Sequence, residues 1–418
     1  MKISIVANND SKGGAARAAF RLLQAMQENH TDIKMYVRMK HSDYSSVIGP
    51  KTNLKRLVNM FRNPANTIFN KISKRENLNL HSNNILPSKL HKLLNNNDSD
   101  IINLHWVGSE TMSIRDISAI SKPVVWTLHD MWAFCGAEHV THYNEDARWR
   151  TGYTKKNRNP SDRGFDLDRY VWEKKLKLWK TPMHIVTPSE WLANCAKESY
   201  LFQDWPISVI PNPIDTNVYK PLNKSYCRNI LNLPEDKKII LFGAIGGAKN
   251  PNKGFDLLES TLKHLHADKD IDPKKVVCVI FGQSRPANFD LIPFETIWLG
   301  HIYDDISLSL IYNSADIMVV PSRIENFPQS ATEAQACGVP VAGFDTSGVS
   351  NAIIHNETGY LAEPFNTVSL SEGIKSILLD SDLLVKLGSK SEQRASMQWN
   401  YHSVSSQYND LFNEIMSK

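Results

Sequence analysis

The stretch Val319-Val320-Pro321-Ser322-Arg323-Ile324-Glu325-Asn326-Phe327-Pro328-Gln329-Ser330-Ala331-Thr332-Glu333-Ala334-Gln335-Ala336-Cys337-Gly338-Val339-Pro340-Val341 reads as a strand, a polar loop, a short helix and a second strand. The run Ile317 to Val320 is short and rich in β-branched residues, as a strand covered on both faces must be. Pro328 suits a first helical residue, whose N–H has no intrahelical partner. Gly338 stops the helix, and Val339 to Ala342 begins the next strand. Glu325 therefore falls in the loop before a helix N-terminus, and Glu333 lies further along that helix. The amides near Asn326, Phe327 and Gln329 aim partial positive charge into one space. An anion held by amides, with carboxylates left over for hydroxyls, fits a molecule made of diphosphate, ribose and hexose.

Working outward, the chain has 418 residues, enough for two domains of about 200 residues each. Hydrophobic residues make up 41% and charged residues 22%, which is globular composition and excludes extensive disorder. The net charge of +4 is too mild to imply nucleic acid. No run of about 20 apolar residues is present to span a membrane. Met1 to Ala7 turns polar too soon for a signal peptide. The five cysteines are scattered without a C-x-x-C pair and read as reduced, buried thiols of a cytosolic protein.

The first half opens like a dinucleotide-binding unit: strand Ile3 to Ala7, a turn through Gly13-Gly14, and an alanine-rich helix from Ala15. The G-x-G-x-x-G pattern is missing, which disfavours a nicotinamide cofactor. Gly13 and Gly14 instead permit close backbone approach of a ligand at the helix N-terminus. Arg17 lies one turn on, either facing that ligand or solvated. Strands ending in His105 and His129 place both histidines at C-terminal strand ends, where open α/β sheets form their ligand crevice. Asp130 either orients His129 or binds an acceptor hydroxyl. Lys51 to Arg75 interleaves basic residues with apolar ones at helical spacing. It is either a helix lying on an anionic membrane surface or a solvated helix whose apolar stripe packs on its own domain.

The run Arg148-Trp149-Arg150 to Arg158 is basic and aromatic, suited to an acceptor loop facing phosphate, with Arg150 at its centre. No RNA-binding motif accompanies it. His139 and His142, with Glu138, Cys135 or Glu145, lack C-x-x-C or H-E-x-x-H spacing, and no metal is expected. Asp98-Ser99-Asp100, Asp166-Leu167-Asp168, Asp270-Ile271-Asp272 and Asp380-Ser381-Asp382 read as caps and turns rather than metal loops. Pro211-Asn212-Pro213 is a stiff linker. The second half starts with strand Lys238 to Gly243 and a loop carrying Lys249 and Lys253-Gly254, which offers charge for a diphosphate.

Glu325 and Glu333, with Asn-Phe-Pro between them and Gly-Val-Pro-Val after, resemble the donor motif of retaining GT-B glycosyltransferases, glycosyltransferase family 4. Thr-Leu-His-Asp-Met-Trp at 127–132 and Lys253-Gly254 resemble that family too. Many relatives of this subgroup carry clustered cysteines after the His-Asp-Met-Trp segment, where this chain keeps Cys135. The resemblance implies two Rossmann-like domains facing across a cleft: residues 1–210 on the acceptor side and 211–398 binding the nucleotide-sugar. Helix 399–418 would cross back to the first domain. It implies that Glu325 engages the donor sugar or stabilises charge at its anomeric carbon, and that Glu333 holds ribose hydroxyls. Lys253, Gly14, Asn326, Phe327, Pro328 and Gln329 would meet the donor. His129 would contact the sugar or handle a proton, and Gly13, Arg17, His105, Asp130 and Arg150 would line the acceptor side. The usual arginine before Lys-Gly is a glycine here, and Lys249 is the candidate to replace it. No cofactor or metal is implied. The expected activity is transfer of a sugar to a glycan or undecaprenyl-linked glycan in surface-polysaccharide synthesis, at the cytoplasmic membrane face. A nucleotide-sugar epimerase or hydrolase on the same fold, and a non-catalytic binding protein, are the alternatives.

Overall fold

A computed structural model describes residues 1–141, 143–243, 250–285 and 292–418. The chain divides into two compact units, Met1–Asn212 with Val404–Lys418, and Pro213–Ser403. The sequence expectation set the breaks at 210/211 and 398/399. The first break falls instead inside Pro211-Asn212-Pro213, and the second falls inside the last helix, Tyr401–Met416.

Unit 1 contains β1 (Lys2–Asn9), β2 (Asp32–Met39), β3 (Val47–Ile48), β4 (Ser73–Lys74), β5 (Ile101–Leu104), β6 (Val124–Thr127), β7 (Arg163–Gly164), β8 (His184–Thr187) and β9 (Ile207–Val209). Seven of them form a sheet in the order β3-β2-β1-β5-β6-β8-β9, with every neighbouring pair parallel. The winding leaves β1 in one direction and returns on its other side at β5, so the order reverses between β1 and β5. Such a reversal splays the two loops that follow and opens a ligand crevice. Side-chain alternation covers both faces. Ile3, Ile5 and Ala7 pack with the helix Gly14–Glu28, and Val6 packs on the opposite side with Trp126 and Trp132. Val404, Tyr408, Leu411 and Phe412 join the first of these clusters, and Tyr408 Oη lies 3.0 Å from Thr127 Oγ1.

Unit 2 repeats the plan with β10 (Lys238–Gly243), β11 (Val276–Phe281), β12 (Glu295–Gly300), β13 (Ile317–Val320), β14 (Val341–Phe344) and β15 (Gly359–Ala362), in the order β12-β11-β10-β13-β14-β15. Ile239 and Leu241 face one core and Ile240 and Phe242 the other, which is why β10 is apolar throughout. The reversal here lies between β10 and β13. The deciding stretch folds as strand, loop, helix and strand, with two small shifts. Pro328 sits one residue before the helix Gln329–Ala336, and β14 begins at Val341 rather than Val339. Pro340 causes the second shift. It has no N–H for the ladder, so pairing starts at its carbonyl, which accepts from Met318 N at 3.0 Å. All five cysteines are free and buried.

Phe412 is fully buried on the face of the unit 1 sheet. Phe412→Ala should destabilise unit 1 by about 3–5 kcal/mol. Denaturant titration should show the unit 1 transition moving while that of unit 2 stays in place.

Candidate active site

In unit 2 the reversal point brings the two central motifs together. Lys253 ends a single turn, Pro251–Lys253, in the connection after β10, and Glu325 follows β13. Lys253 Nζ forms an ion pair with Glu325 Oε1, and the Ser322 hydroxyl donates to the same oxygen at 3.2 Å. Neither partner is sealed: the lysine side chain is 31% exposed and the glutamate 17%. Two glycines allow this approach. Gly254 has φ +64, and a Cβ there would lie 1.9 Å from the Pro321 carbonyl oxygen. A Cβ on Gly348 would lie 1.4 Å from the Asn326 carbonyl oxygen. The Glu325 backbone is pinned as well, its N–H donating to Ser347 Oγ at 3.0 Å and its carbonyl accepting from Gly348 N at 2.8 Å.

Arg323, beside them, is held away. Its guanidinium takes both oxygens of Asp256, at 2.8 and 2.5 Å. Phe327 is buried with its ring edge-on to Trp399, which leaves its backbone rather than its side chain to meet a ligand. Asn326 and Pro328 flank it in the same loop. The N-cap of the helix Gln329–Ala336, Pro328, makes no side-chain hydrogen bond, and the first turn carries no acidic residue to oppose the helix field. Glu333 is buried, with one oxygen accepting from the Tyr312 hydroxyl at 2.8 Å. Lys249 lies outside the described residues.

In unit 1 the loops after β1 and β5 line an open cavity of about 190 Å³, walled by Asn9, Lys12, Gly13, Gly14 and Trp106. Gly13 has φ +91, and no atom stands within 4 Å of where its Cβ would be, so the backbone conformation rather than crowding selects glycine. Arg17 sits half-buried in the helix that follows.

His105 and His129 form a relay whose tautomers can be read. Asn103 Nδ2 donates to the Val125 carbonyl and to Thr127 Oγ1, both at 3.1 Å, so Asn103 Oδ1 is an acceptor. His105 Nε2–H donates to it at 2.9 Å. His105 Nδ1 then accepts from His129 Nε2–H, also at 2.9 Å. The bare lone pair of the chain is left on His129 Nδ1, an acceptor for a hydroxyl proton. Burial lowers the His129 pKa to about 4, and burial followed by the charge of His129 holds His105 well below its ordinary range. Both rings are therefore neutral near pH 7.

One expectation for Asp130 is corrected here. It does not orient His129. Its Oδ2 accepts from Trp106 Nε1 at 2.7 Å and from His139 Nδ1 at 2.6 Å, and its Oδ1 accepts from Trp132 N at 2.9 Å. Burial raises its pKa, yet His139 and these donors outweigh burial and hold it below the usual carboxylate range. His139 is thus committed to Asp130 and, through Nε2, to Ser82 Oγ at 2.6 Å. The sequence Ser82–His139–Asp130 has the order of a nucleophilic triad, but Ser82 is fully buried and serves packing. His142 lies outside the described residues. Arg150 is engaged by Glu198 at 2.6 Å and stacks on Tyr143 and Trp149. Lys175 is buried beneath this region. It donates to the carbonyls of Trp132, Cys135 and Gly136 and fixes the turn after Asp130. No local motif marks Ser82 or Lys175, since each acts on partners far away in the sequence, and the role of Asn103 depends on Val125 and Thr127, which fix its amide.

A histidine whose folded pKa lies below its unfolded value takes its proton only by unfolding. Stability from His129 is therefore complete above about pH 6.5 and falls as the pH drops toward about 4. Thermal melts at pH 7 and pH 5 should show a lower Tm at pH 5, and His129→Gln should shrink that difference. Equal sensitivity in the variant would contradict the reading of a buried neutral ring.

Two family models match the chain: "Glycosyltransferase Family 4" over residues 12–218 and "Glycosyl transferases group 1" over residues 224–394. A D-inositol 3-phosphate glycosyltransferase of Catenulispora acidiphila is 29% identical over 194 residues, covering 44% of this chain and 46% of that protein. The chain thus spans about half the length of the curated relatives it matches. Sucrose-phosphate synthase from Thermosynechococcus elongatus superposes with a TM-score of 0.65 at 16% identity, covering 100% of this chain and 99% of that one. HepE of Anabaena, in complex with UDP-glucose, superposes at 0.62 and 15% identity, covering 99% and 100%. The fold is that of the GT-B glycosyltransferases, and the chain belongs to the glycosyltransferases whose first half is of Family 4 and whose second half is of group 1.

Proposed function

We propose that this protein is a retaining, nucleotide-sugar-dependent hexosyltransferase. The observation that carries the reading is the Lys253–Glu325 pair at the reversal point of unit 2, beside the helix Gln329–Ala336. Lys253 Nζ and the helix amides take the donor diphosphate and stabilise the charge that grows on it as the glycosidic bond breaks. Glu325, released from Lys253 by the incoming phosphate, faces the hexose. Glu333 takes ribose hydroxyls. His129 Nδ1 accepts a hydrogen bond from a sugar hydroxyl on the acceptor side and orients it, without taking its proton. The acceptor oxygen forms the new bond to the anomeric carbon, the nucleoside diphosphate leaves, and the acceptor proton passes to a phosphate oxygen. Family resemblance implies that departure and attack share one face, which gives retention. UDP-glucose, held by the Anabaena neighbour, is the first donor to try.

A lipid-linked glycan acceptor on the cytoplasmic membrane face is supported by one feature of unit 1. The helix Asn53–Asn70 is turned inside out. Its polar residues point inward: Arg62 donates to the carbonyls of Glu110, Leu86 and Pro87, and Asn66 and Asn70 donate to the His81 carbonyl. The stripe Leu54, Leu57, Val58, Phe61 and Ile68 points outward, with Phe61 and Ile68 each 64% exposed. Lys51, Lys55, Arg56, Lys71 and Lys74 surround it and are exposed. An apolar stripe within a basic rim matches an anionic bilayer surface. No helix among the described residues is long and apolar enough to cross a membrane. The expectation that the stripe packs on its own domain is therefore corrected, because backbone carbonyls of unit 1 claim the polar face.

Transfer with a nucleotide-sugar panel should fall by about a hundredfold or more in Glu325→Ala and in Lys253→Ala. Transfer surviving intact in both would remove the site assignment. Nucleotide release at the same rate without any acceptor would favour a hydrolase or epimerase.

Flotation with vesicles containing phosphatidylglycerol should capture the wild type and lose Leu57→Glu/Phe61→Glu. Failure of the wild type to float would favour a soluble acceptor, such as a small phosphorylated alcohol.

A further inference from the structure

His81, Glu138 and Asp168 meet in unit 1 from three separate segments. A short antiparallel pairing sets the first two opposite each other. His81 bridges Glu138, Ser82 N–H donates to the Ala137 carbonyl at 2.7 Å, and His139 N–H donates to the Leu80 carbonyl at 3.0 Å. Asp168 enters from the first turn of the helix Leu167–Leu178. Gly136 leaves the room for it. A Cβ there would lie 2.7 Å from Glu138 Oε2 and 2.6 Å from the Asp168 carbonyl oxygen. One ligand atom from each of the three residues lies within 4.8 Å of the others, and all three residues are more than nine-tenths buried.

What converges is acceptor against acceptor. His81 Nδ1 lies 2.6 Å from the Asn79 carbonyl oxygen, so that nitrogen carries the hydrogen. Nε2 keeps its lone pair and lies 3.8 Å from Asp168 Oδ1. Each carboxylate has one oxygen satisfied from behind. Arg75 Nε donates to Asp168 Oδ2 at 2.8 Å, and the Tyr153 hydroxyl donates to Glu138 Oε1. The other two oxygens, Asp168 Oδ1 and Glu138 Oε2, are buried and meet no hydrogen-bond donor among the described residues. Buried acceptors left without donors are costly, and three aimed at one point call for positive charge between them. An imidazole locked by its far nitrogen to a carbonyl, and carboxylates held by outer partners, is how proteins aim residues at a metal.

We propose that His81 Nε2, Glu138 Oε2 and Asp168 Oδ1 bind a divalent transition-metal cation, with zinc the best match to one imidazole and two carboxylates. Around a tetrahedral ion such atoms sit roughly 3.3 Å apart, so the side chains draw in on binding. The enclosure makes the site structural. It ties the segment before β5, the loop after Asp130 and the helix Leu167–Leu178 into one body. His139, which holds Asp130, is the next residue after Glu138. None of this depends on the glycosyl-transfer reading.

The test uses the whole purified chain and zinc alone. Elemental analysis of protein prepared without chelator should find about one metal per chain. Stripped protein should regain zinc against a chromogenic chelator, with Tm rising by about 5 °C or more at a hundredfold excess over Kd. Glu138→Gln and His81→Gln should each weaken zinc binding by about 10–100-fold. His81→Cys, which keeps a ligand atom, should still bind and so separates loss of a ligand from loss of fold. A wild type that neither retains metal nor responds to zinc overturns the proposal, leaving a proton shared by the two carboxylates. Zinc that stays bound equally in Glu138→Gln and His81→Gln overturns it too.

Discussion

The ion pair between Lys253 and Glu325 is the contact on which the candidate site depends. It spans the point where the unit 2 sheet reverses its winding, so it is placed by topology before any ligand arrives. As a partly exposed pair it contributes roughly 1 kcal/mol or less to stability. Its value is positional. The same backbone approach that seats it, Gly254 against the Pro321 carbonyl, also fixes the loop leading to the helix Gln329–Ala336. An ammonium and a carboxylate are thereby held side by side near one helix N-terminus.

Unit 1 solves a different problem. Beside its reversal point lie a neutral relay, Asn103 to His105 to His129, and a separate anchor, Asp130 held by Trp106 and His139. Much of the surrounding support is polar yet buried. Lys175 closes the turn below, and the helix Asn53–Asn70 docks by amides and a guanidinium rather than by apolar side chains. Buried polar contacts of this kind specify one geometry because each unmet group would be costly. The apolar face they displace is left for another surface.

The parts readable from the sequence were those written in adjacent residues. Strand, loop, helix and strand followed from Ile317 to Val341, and the two strand-end histidines followed from period and position. Pro340 moved the start of β14, a detail that turns on a missing N–H. The parts that escaped reading were long-range. Asp130 looked like a partner for the neighbouring His129, yet the chain delivers His139 and Trp106 to it instead. The stripe of Asn53–Asn70 was plain in its spacing, but which face turned inward depended on carbonyls at 81, 86, 87 and 110. His81 gave no signal, and Asp168 read as part of a capping triplet, because nothing in their own neighbourhoods shows that they meet.

In the proposed mechanism Lys253 changes partners, leaving Glu325 for the donor phosphate. Calorimetric titration of UDP and GDP into wild type, Glu325→Gln and Lys253→Met tests this most directly. Lys253→Met should abolish binding, while Glu325→Gln should bind the bare nucleoside diphosphate more tightly than wild type, since its lysine no longer has a carboxylate to leave. Weaker binding by Glu325→Gln, or unchanged binding by Lys253→Met, would contradict it.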